Sequence, residues 1–453
     1  MVLAASLALR VVLAFLNREA NDWHMEVVNM IAFHGHFPEH DECSECYQPP
    51  FYYVVGAGLL RLLHLTKLGP GLIACQLLNV AAGAATLLLI RRMLWQLPID
   101  EKWRRLAFAL VAFNPALLGI NVQVTNDSFA ILLGTIAFVL LMRWLFQGRG
   151  ALWLCLTVVL AGLTKGNGLV VFTLCLCIGG VTLVRGWLGR DRMARGERWR
   201  LVRGLALLSV LFLSLVPFLG PYAHHYRKFG SPFITNSYRQ APPHWFKETV
   251  GLRPGVKSIA SAYFTFRIVD LLDKAYVVTN EPEPYPALRT SLWTVTYAMG
   301  SSNFFHIWPP TWVPPVGKYR WLERAIYLFG LVPLGWLVLG FGKVVLETLR
   351  GRVFRTVPLR LVWAAAWLAA FLAMLVKYTY DYRDFATMKA IFLFPAILPF
   401  TVLMAWGMTL LARRAVHWRG GTVLLALLQG AAVALVLCDI AETSILVGLL
   451  VAR

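Results

Sequence analysis

Long apolar segments constrain this chain more than any other feature. A helix needs about 20 mainly apolar residues to cross the hydrocarbon core of a bilayer. Stretches of this kind recur at 2–16, 49–66, 70–90, 106–122, 128–146, 151–164, 168–184, 204–221, 326–342, 361–376, 389–411 and 421–437. The last stretch, 439–453, is too short to assign. Hydrophobic residues make up 58% of the 453 and charged residues 15%, against about 25% charged in a soluble domain. A soluble protein so composed would lack the polar surface to cover itself. The chain therefore reads as an all-α polytopic membrane protein.

Charge then orders the segments. The net charge is +20. The short loops 91–105, 147–150, 185–203, 343–360 and 412–420 carry 21 Lys and Arg against five acids. The positive-inside rule places all five on the cytoplasmic side. They share that side only if 49–66, broken by Gly56 and Gly58 and carrying Arg61 and His64, lies at the interface instead of crossing. About eleven spans and a cytoplasmic N-terminus follow, in a cell (inner) membrane. The basic balance is then a matter of topology, and nucleic acid is not needed as a partner. One membrane-embedded domain over 1–453 is expected. Its outer face would hold a first loop, 17–69, and a long loop, 222–325.

The first loop reads NREANDWHMEVVNMIAFHGHFPEHDECSECYQPPFYY. Asn21 can cap a helix starting at Asp22. Met25, Val28, Ile31 and Ala32 then form an apolar stripe, with Asp22, Glu26 and Asn29 on the opposite face. This predicts a helix lying on the membrane, carboxylates toward the loop, ended by Gly35. Asp22 could equally serve only the helix dipole. Asp127, in VQVTNDSFA, falls where a span begins on the same outer side, and there an N-cap is the plainer use. Lys165 lies in GLTKGNG at the outer surface. It either snorkels into water or meets an anion, and flanking glycines leave backbone N–H groups open for a phosphate. Arg227 and Lys228 follow another span, and Lys377, Arg383 and Lys389 cluster near the tip KYTYDYRDFATMK. These outward cations suit an anionic ligand or lipid headgroups. Cys43 and Cys46 form a C-x-x-C beside His34, His36, His40 and Asp41, which fits a structural disulfide or a small structural metal.

Taken in order, these stretches resemble the GT-C superfamily of membrane glycosyltransferases, in the branch akin to bacterial protein mannosyltransferases and the lipid A aminoarabinose transferase. The likeness covers roughly 1–400. It rests on the acidic first loop, Gln48-Pro49-Pro50-Phe51-Tyr52-Tyr53, Asp127, Leu163-Thr164-Lys165-Gly166, and Lys389 running into Phe394-Pro395. Gln48 stands where many relatives have His. The resemblance implies a GT-C-like fold and inverting transfer of a sugar from a polyprenyl-phosphate donor to a lipid, glycan or protein acceptor at the outer face. It makes Asp22 the candidate base and Lys165 the candidate donor-phosphate ligand. Asp127 is a second catalytic candidate. Glu26, Gln48, Tyr52, Arg227, Lys228, Lys377, Arg383 and Lys389 are binding candidates. No cofactor is expected, and a divalent metal is not required. The rival readings are a transporter or flippase of lipid-linked sugars, and a membrane thiol oxidoreductase using Cys43 and Cys46.

Overall fold

The computed structural model describes residues 1–17, 23–65, 68–189, 193–234, 262–273, 291–302, 319–382 and 390–452. Within these the chain is helical, without a strand. In order the helices are α1 (Val2–Leu16), α2 (His24–Asn29), α3 (Phe51–Leu62), α4 (Leu68–Trp95), α5 (Glu101–Ala112), α6 (Pro115–Asn121), α7 (Asp127–Gln147), α8 (Ala151–Thr164), α9 (Gly168–Trp187), α10 (Arg195–Leu219) and α11 (Tyr222–Phe229). Then come α12 (Ile268–Asp273), α13 (Leu292–Ser301), α14 (Arg320–Leu349), α15 (Val353–Thr356), α16 (Leu359–Tyr382), α17 (Ile397–Ala415) and α18 (Gly421–Val451). Among the described residues, α4, α7, α9, α10, α14, α16, α18 and the segment Ala390–Ala415 are long and apolar enough to cross a membrane. The chain is a multi-pass membrane protein.

Several boundaries differ from the sequence reading. The stretch 106–122 is two helices, because Asn114 precedes Pro115, and a residue before proline is pushed out of the helical region. Asn114 caps the second piece, its Oδ1 accepting from the Leu117 N–H at 2.9 Å. Residues 439–451 are not a separate tail but continue α18. α1 and α8 are apolar but shorter than a full span. The segment 49–66 forms the 12-residue α3, about 18 Å long against a hydrocarbon core of about 30 Å. That length suits the interfacial placement expected from charge.

The chain divides into two compact units. The first holds Met1–Asp22, Gln76–Gln123 and Lys247–Arg453. Within it α14 crosses α17 at backbone contact. A Cβ on Gly340 would strike the Leu403 carbonyl, and one on Gly407 the Trp336 carbonyl. Small residues of this kind let membrane helices approach closely. Buried Arg10 of α1 serves the α5–α6 break: its Nη1 donates to the Ala112 carbonyl at 2.9 Å and its Nε to Asn121 Oδ1 at 3.1 Å. Ser6 Oγ donates to the same Ala112 carbonyl at 2.7 Å. A carbonyl at a helix end needs such donors inside a membrane, where water is absent.

The second unit holds Trp23–Cys75 and Val124–Phe246. Helices α7 to α10 pack as neighbours, and α3 packs on α2 and on α8. α2 begins at His24, two residues later than expected, with Trp23 at a φ of 60°. It passes into one π turn, Met30–His34, which Gly35 ends at a φ of 65°, a conformation glycine adopts without steric cost. The helix's buried side fits against glycines: a Cβ on Gly56 of α3 would lie 3.2 Å from Val28, and one on Gly71 of α4 would lie 3.3 Å from Met25. Arg61 of α3 donates to the carbonyls of Ala32 (2.8 Å) and Ile31 (2.9 Å), which occupies a cation that looked misplaced in an apolar segment.

Candidate functional site

Among the described residues, the expected ones that gather most tightly are Asp127 and Lys165. They lie 38 positions apart, Asp127 on the first residue of α7 and Lys165 just past the end of α8. Lys165 Nζ donates to Asp127 Oδ1 at 2.5 Å, and the two side chains are 13% and 6% exposed. Asp127 is therefore not the helix cap that its position suggests. Its Oδ2 instead accepts from the Thr125 hydroxyl at 3.1 Å, while its backbone N–H donates to Thr125 Oγ1 at 3.2 Å. A carboxylate in the first turn also sits favourably in the helix dipole.

The turn holding Lys165 is built by glycine at one decisive position. A Cβ on Gly168 would strike the backbone of Ala161 and Gly162. The turn closes through the Gly168 N–H to the Lys165 carbonyl (2.9 Å) and the Leu169 N–H to the Gly166 carbonyl (3.2 Å). Asn126 ties it to the Pro-Pro stretch: its amide donates to the Thr164 carbonyl (3.2 Å) and to Gln48 Oε1 (3.4 Å). Gln48 in turn donates to Glu45 (3.2 Å) and to the Tyr47 hydroxyl (2.8 Å). Tyr52 is buried, its ring 5.3 Å from that of Phe129 and 6.4 Å from that of His24.

His24 was missed by sequence reasoning. It is 2% exposed. Its Nδ1 lies 2.7 Å from the Tyr53 hydroxyl and its Nε2 lies 3.5 Å from Thr125 Oγ1. The Tyr53 phenol is raised well above its usual pKa, first by burial and then by nearby Glu45, so it stays protonated. A signal was present: His24 falls at i of the same i, i+3, i+4, i+7 stripe as buried Val27, Val28 and Ile31. A polar residue on an otherwise apolar stripe has to find a polar partner inside.

The other expected residues fall elsewhere. Glu26 is exposed on α2. Arg227 and Lys228 are exposed on α11, and Lys228 Nζ lies 3.6 Å from Glu39 Oε2. His225 on the same helix is buried, and burial lowers its pKa to about 4, with His40 close by. Lys377 is exposed on α16 in the first unit. Asp22, Arg383 and Lys389 lie outside the described residues. Cys43 and Cys46 are joined in a disulfide, with Cα atoms 5.1 Å apart. A bonded pair has no thiolates to offer a metal. It staples the turn leading to Gln48.

No family model matches this chain, and no curated protein matches it. Solved structures do. The archaeal oligosaccharyltransferase AglB from Archaeoglobus fulgidus, in complex with an inhibitory peptide and a dolichol-phosphate, superposes with a TM-score of 0.52 at 16% identity, over 98% of this chain and 55% of that one. The apo form of the Archaeoglobus fulgidus oligosaccharyltransferase gives a TM-score of 0.50 at 16% identity, over the same shares. ArnT from Cupriavidus metallidurans, bound to undecaprenyl phosphate, is 14% identical over 92% of this chain and 78% of that one. Its TM-score of 0.37 is too low to weigh. The fold is therefore similar to that of the archaeal oligosaccharyltransferase, in line with the GT-C-like fold that the motifs led us to expect. This chain spans about half of that protein's length.

Proposed function

We propose that the chain is a glycosyltransferase that moves a sugar from a polyprenyl-phosphate donor to an acceptor hydroxyl at the outer face of the membrane. The observation that carries this reading is the Asp127–Lys165 pair, in which a carboxylate at the start of α7 meets the cation of a glycine-bounded turn, on a fold like that of an enzyme whose structure holds a dolichol-phosphate. A lipid-borne donor keeps its phosphate at headgroup level, the depth the charge pattern gives to Lys165. The phosphate leaving group needs charge stabilisation, which a lysine held in place supplies. The acceptor oxygen attacks the anomeric carbon, the carbon–oxygen bond to phosphate breaks, and polyprenyl phosphate departs with its electron pair. The acceptor's proton passes to a carboxylate, for which Asp22 is the first candidate and Asp127 the second. Displacement from the opposite face inverts the anomeric centre. Arg227, Lys228, Lys377, Arg383 and Lys389 are further candidates to hold phosphate or acceptor.

Purified protein is incubated with a panel of labelled polyprenyl-phosphate sugars and candidate acceptors. Transfer from at least one donor is expected, with Asp22→Asn lowering turnover by about 10²–10⁴-fold, the usual worth of a general base. Near-normal transfer by a folded Asp22→Asn protein would move the base to Asp127. Absence of transfer from every donor, with donor moved across vesicles instead, would replace the enzyme with the flippase reading.

A further inference from the structure

We propose that His24 is a positioning residue for Asp127, held as the Nε2–H tautomer and acting through Thr125. The proposal deepens the transferase reading and rests on it for its functional meaning. The chemistry of the described contacts runs in one direction. An ionised carboxylate only accepts, so Thr125 gives its one hydroxyl proton to Asp127 Oδ2. Thr125 Oγ1 can then meet His24 Nε2 only as an acceptor, and Nε2 carries the hydrogen. With the ring neutral, as the proposal holds it, the other nitrogen, Nδ1, is bare and accepts the Tyr53 hydroxyl proton across 2.7 Å. Tyr53 donates to His24, His24 to Thr125, and Thr125 to Asp127.

The consequence for Asp127 is a fixed carboxylate plane. Lys165 holds Oδ1 and Thr125 holds Oδ2. The Thr125 link is only as well placed as the ring that feeds it. The ring cannot turn freely, because it is 2% exposed and stacks on Tyr53 at a centroid distance of 5.7 Å. His24 follows Asp22 by two residues in the chain. The same contact ties the start of α2 to the segment bearing Asp127. A misplacement of about 1 Å in such a constellation can cost about 100-fold in rate. The 3.5 Å step from Nε2 to Thr125 is the longest link, so it is the one that substitution should expose first.

Two amides separate the two ring nitrogens. His24→Gln can place an amide N–H near the Nε2 position, while the shorter His24→Asn reaches only the level of Nδ1. In full-length protein in nanodiscs, His24→Gln should keep transfer within about tenfold of wild type, and His24→Asn should lose roughly 100-fold in kcat with little change in donor KM. Thr125→Ser should behave like the first and Thr125→Val like the second. Equal melting temperatures for the two His24 variants would separate positioning from folding. Equal activities for them would overturn the proposal. An independent readout is ¹⁵N-histidine NMR of the wild-type protein: the resonance lost in His24→Gln should show a protonated Nε2 and a bare Nδ1. The opposite tautomer would overturn the proposal even if transfer is robust. If wild type transfers from no donor, the transferase reading falls, and the NMR result still decides the hydrogen-bond chain on its own.

Discussion

Arg10 and Lys165 are both cations in apolar surroundings, one in each unit, and they are treated differently. Arg10 is fully buried and answered by neutral groups: a backbone carbonyl, Ser6 and Asn121. Its Nη2 has no hydrogen-bond partner. Every described partner of its guanidinium belongs to the repair of the α5–α6 break or to α1 itself. Lys165 is answered by a carboxylate, keeps 13% of its side chain exposed, and stands on a turn between two helices. The first arrangement is what a membrane protein needs to interrupt a helix. The second joins the cation to a carboxylate of another helix at the edge of the apolar segments, which is why it reads as a site.

The largest effect should come from separating the pair. Lys165→Met leaves a buried carboxylate without its cation, a loss of about 3–5 kcal/mol in other proteins, together with weak binding of polyprenyl phosphate. The double variant Asp127→Asn/Lys165→Met should regain most of the melting temperature and none of the phosphate binding. Recovery of both would make the pair structural, like Arg10.

Arg10→Met tests the other side of the comparison. It should lower stability by about 1–3 kcal/mol, the cost of an unsatisfied buried polar group, read as a drop in melting temperature. The folded protein should bind polyprenyl phosphate as wild type does. Loss of lipid binding in a folded Arg10→Met protein would blur the distinction between the two cations. Asn114→Ala acts at the same break through its cap and should cost about 1 kcal/mol, again without a change in lipid binding.

The smallest effect is a pH dependence in the second unit. The folded pKa of His225, about 4, lies below its ordinary value of 6.5. Between these values the unfolded chain binds the proton more readily. Stability is therefore full above about pH 6.5 and falls as the pH drops toward 4. His40, His224 and Lys228 face His225 and oppose its protonation. Melting curves at pH 7 and pH 5 should differ by less in His225→Phe than in wild type, while any binding of polyprenyl phosphate stays as it was in wild type.

Much of the frame was legible without coordinates. Apolar segments of span length and loops rich in Arg are local properties, so they survive in one dimension. The charge bias, with Gly56, Gly58, Arg61 and His64, led us to expect a short interfacial segment where α3 stands, and the GT-C likeness followed from motif order. Helix ends were less legible. The Asn114–Pro115 break was written in the sequence but hidden inside an apolar run, and the apolar stretch 421–437 gave no sign that α18 runs on to Val451.

The residues of the site were also visible singly: Asp127 and Lys165 stood out as charges at the edges of spans. Their contact was not, because it depends on α7 and α8 lying side by side with the start of one near the end of the other, and helical periodicity says which face is apolar but not which neighbour it meets. His24 shows the same limit. Its place on an apolar stripe was readable, but its partners are Tyr53 on α3 and Thr125 before α7. Sequence determined which groups are too polar for their surroundings. Only the tertiary structure decided who satisfies them, because a buried polar group takes its partner from whatever the packing brings within about 3 Å.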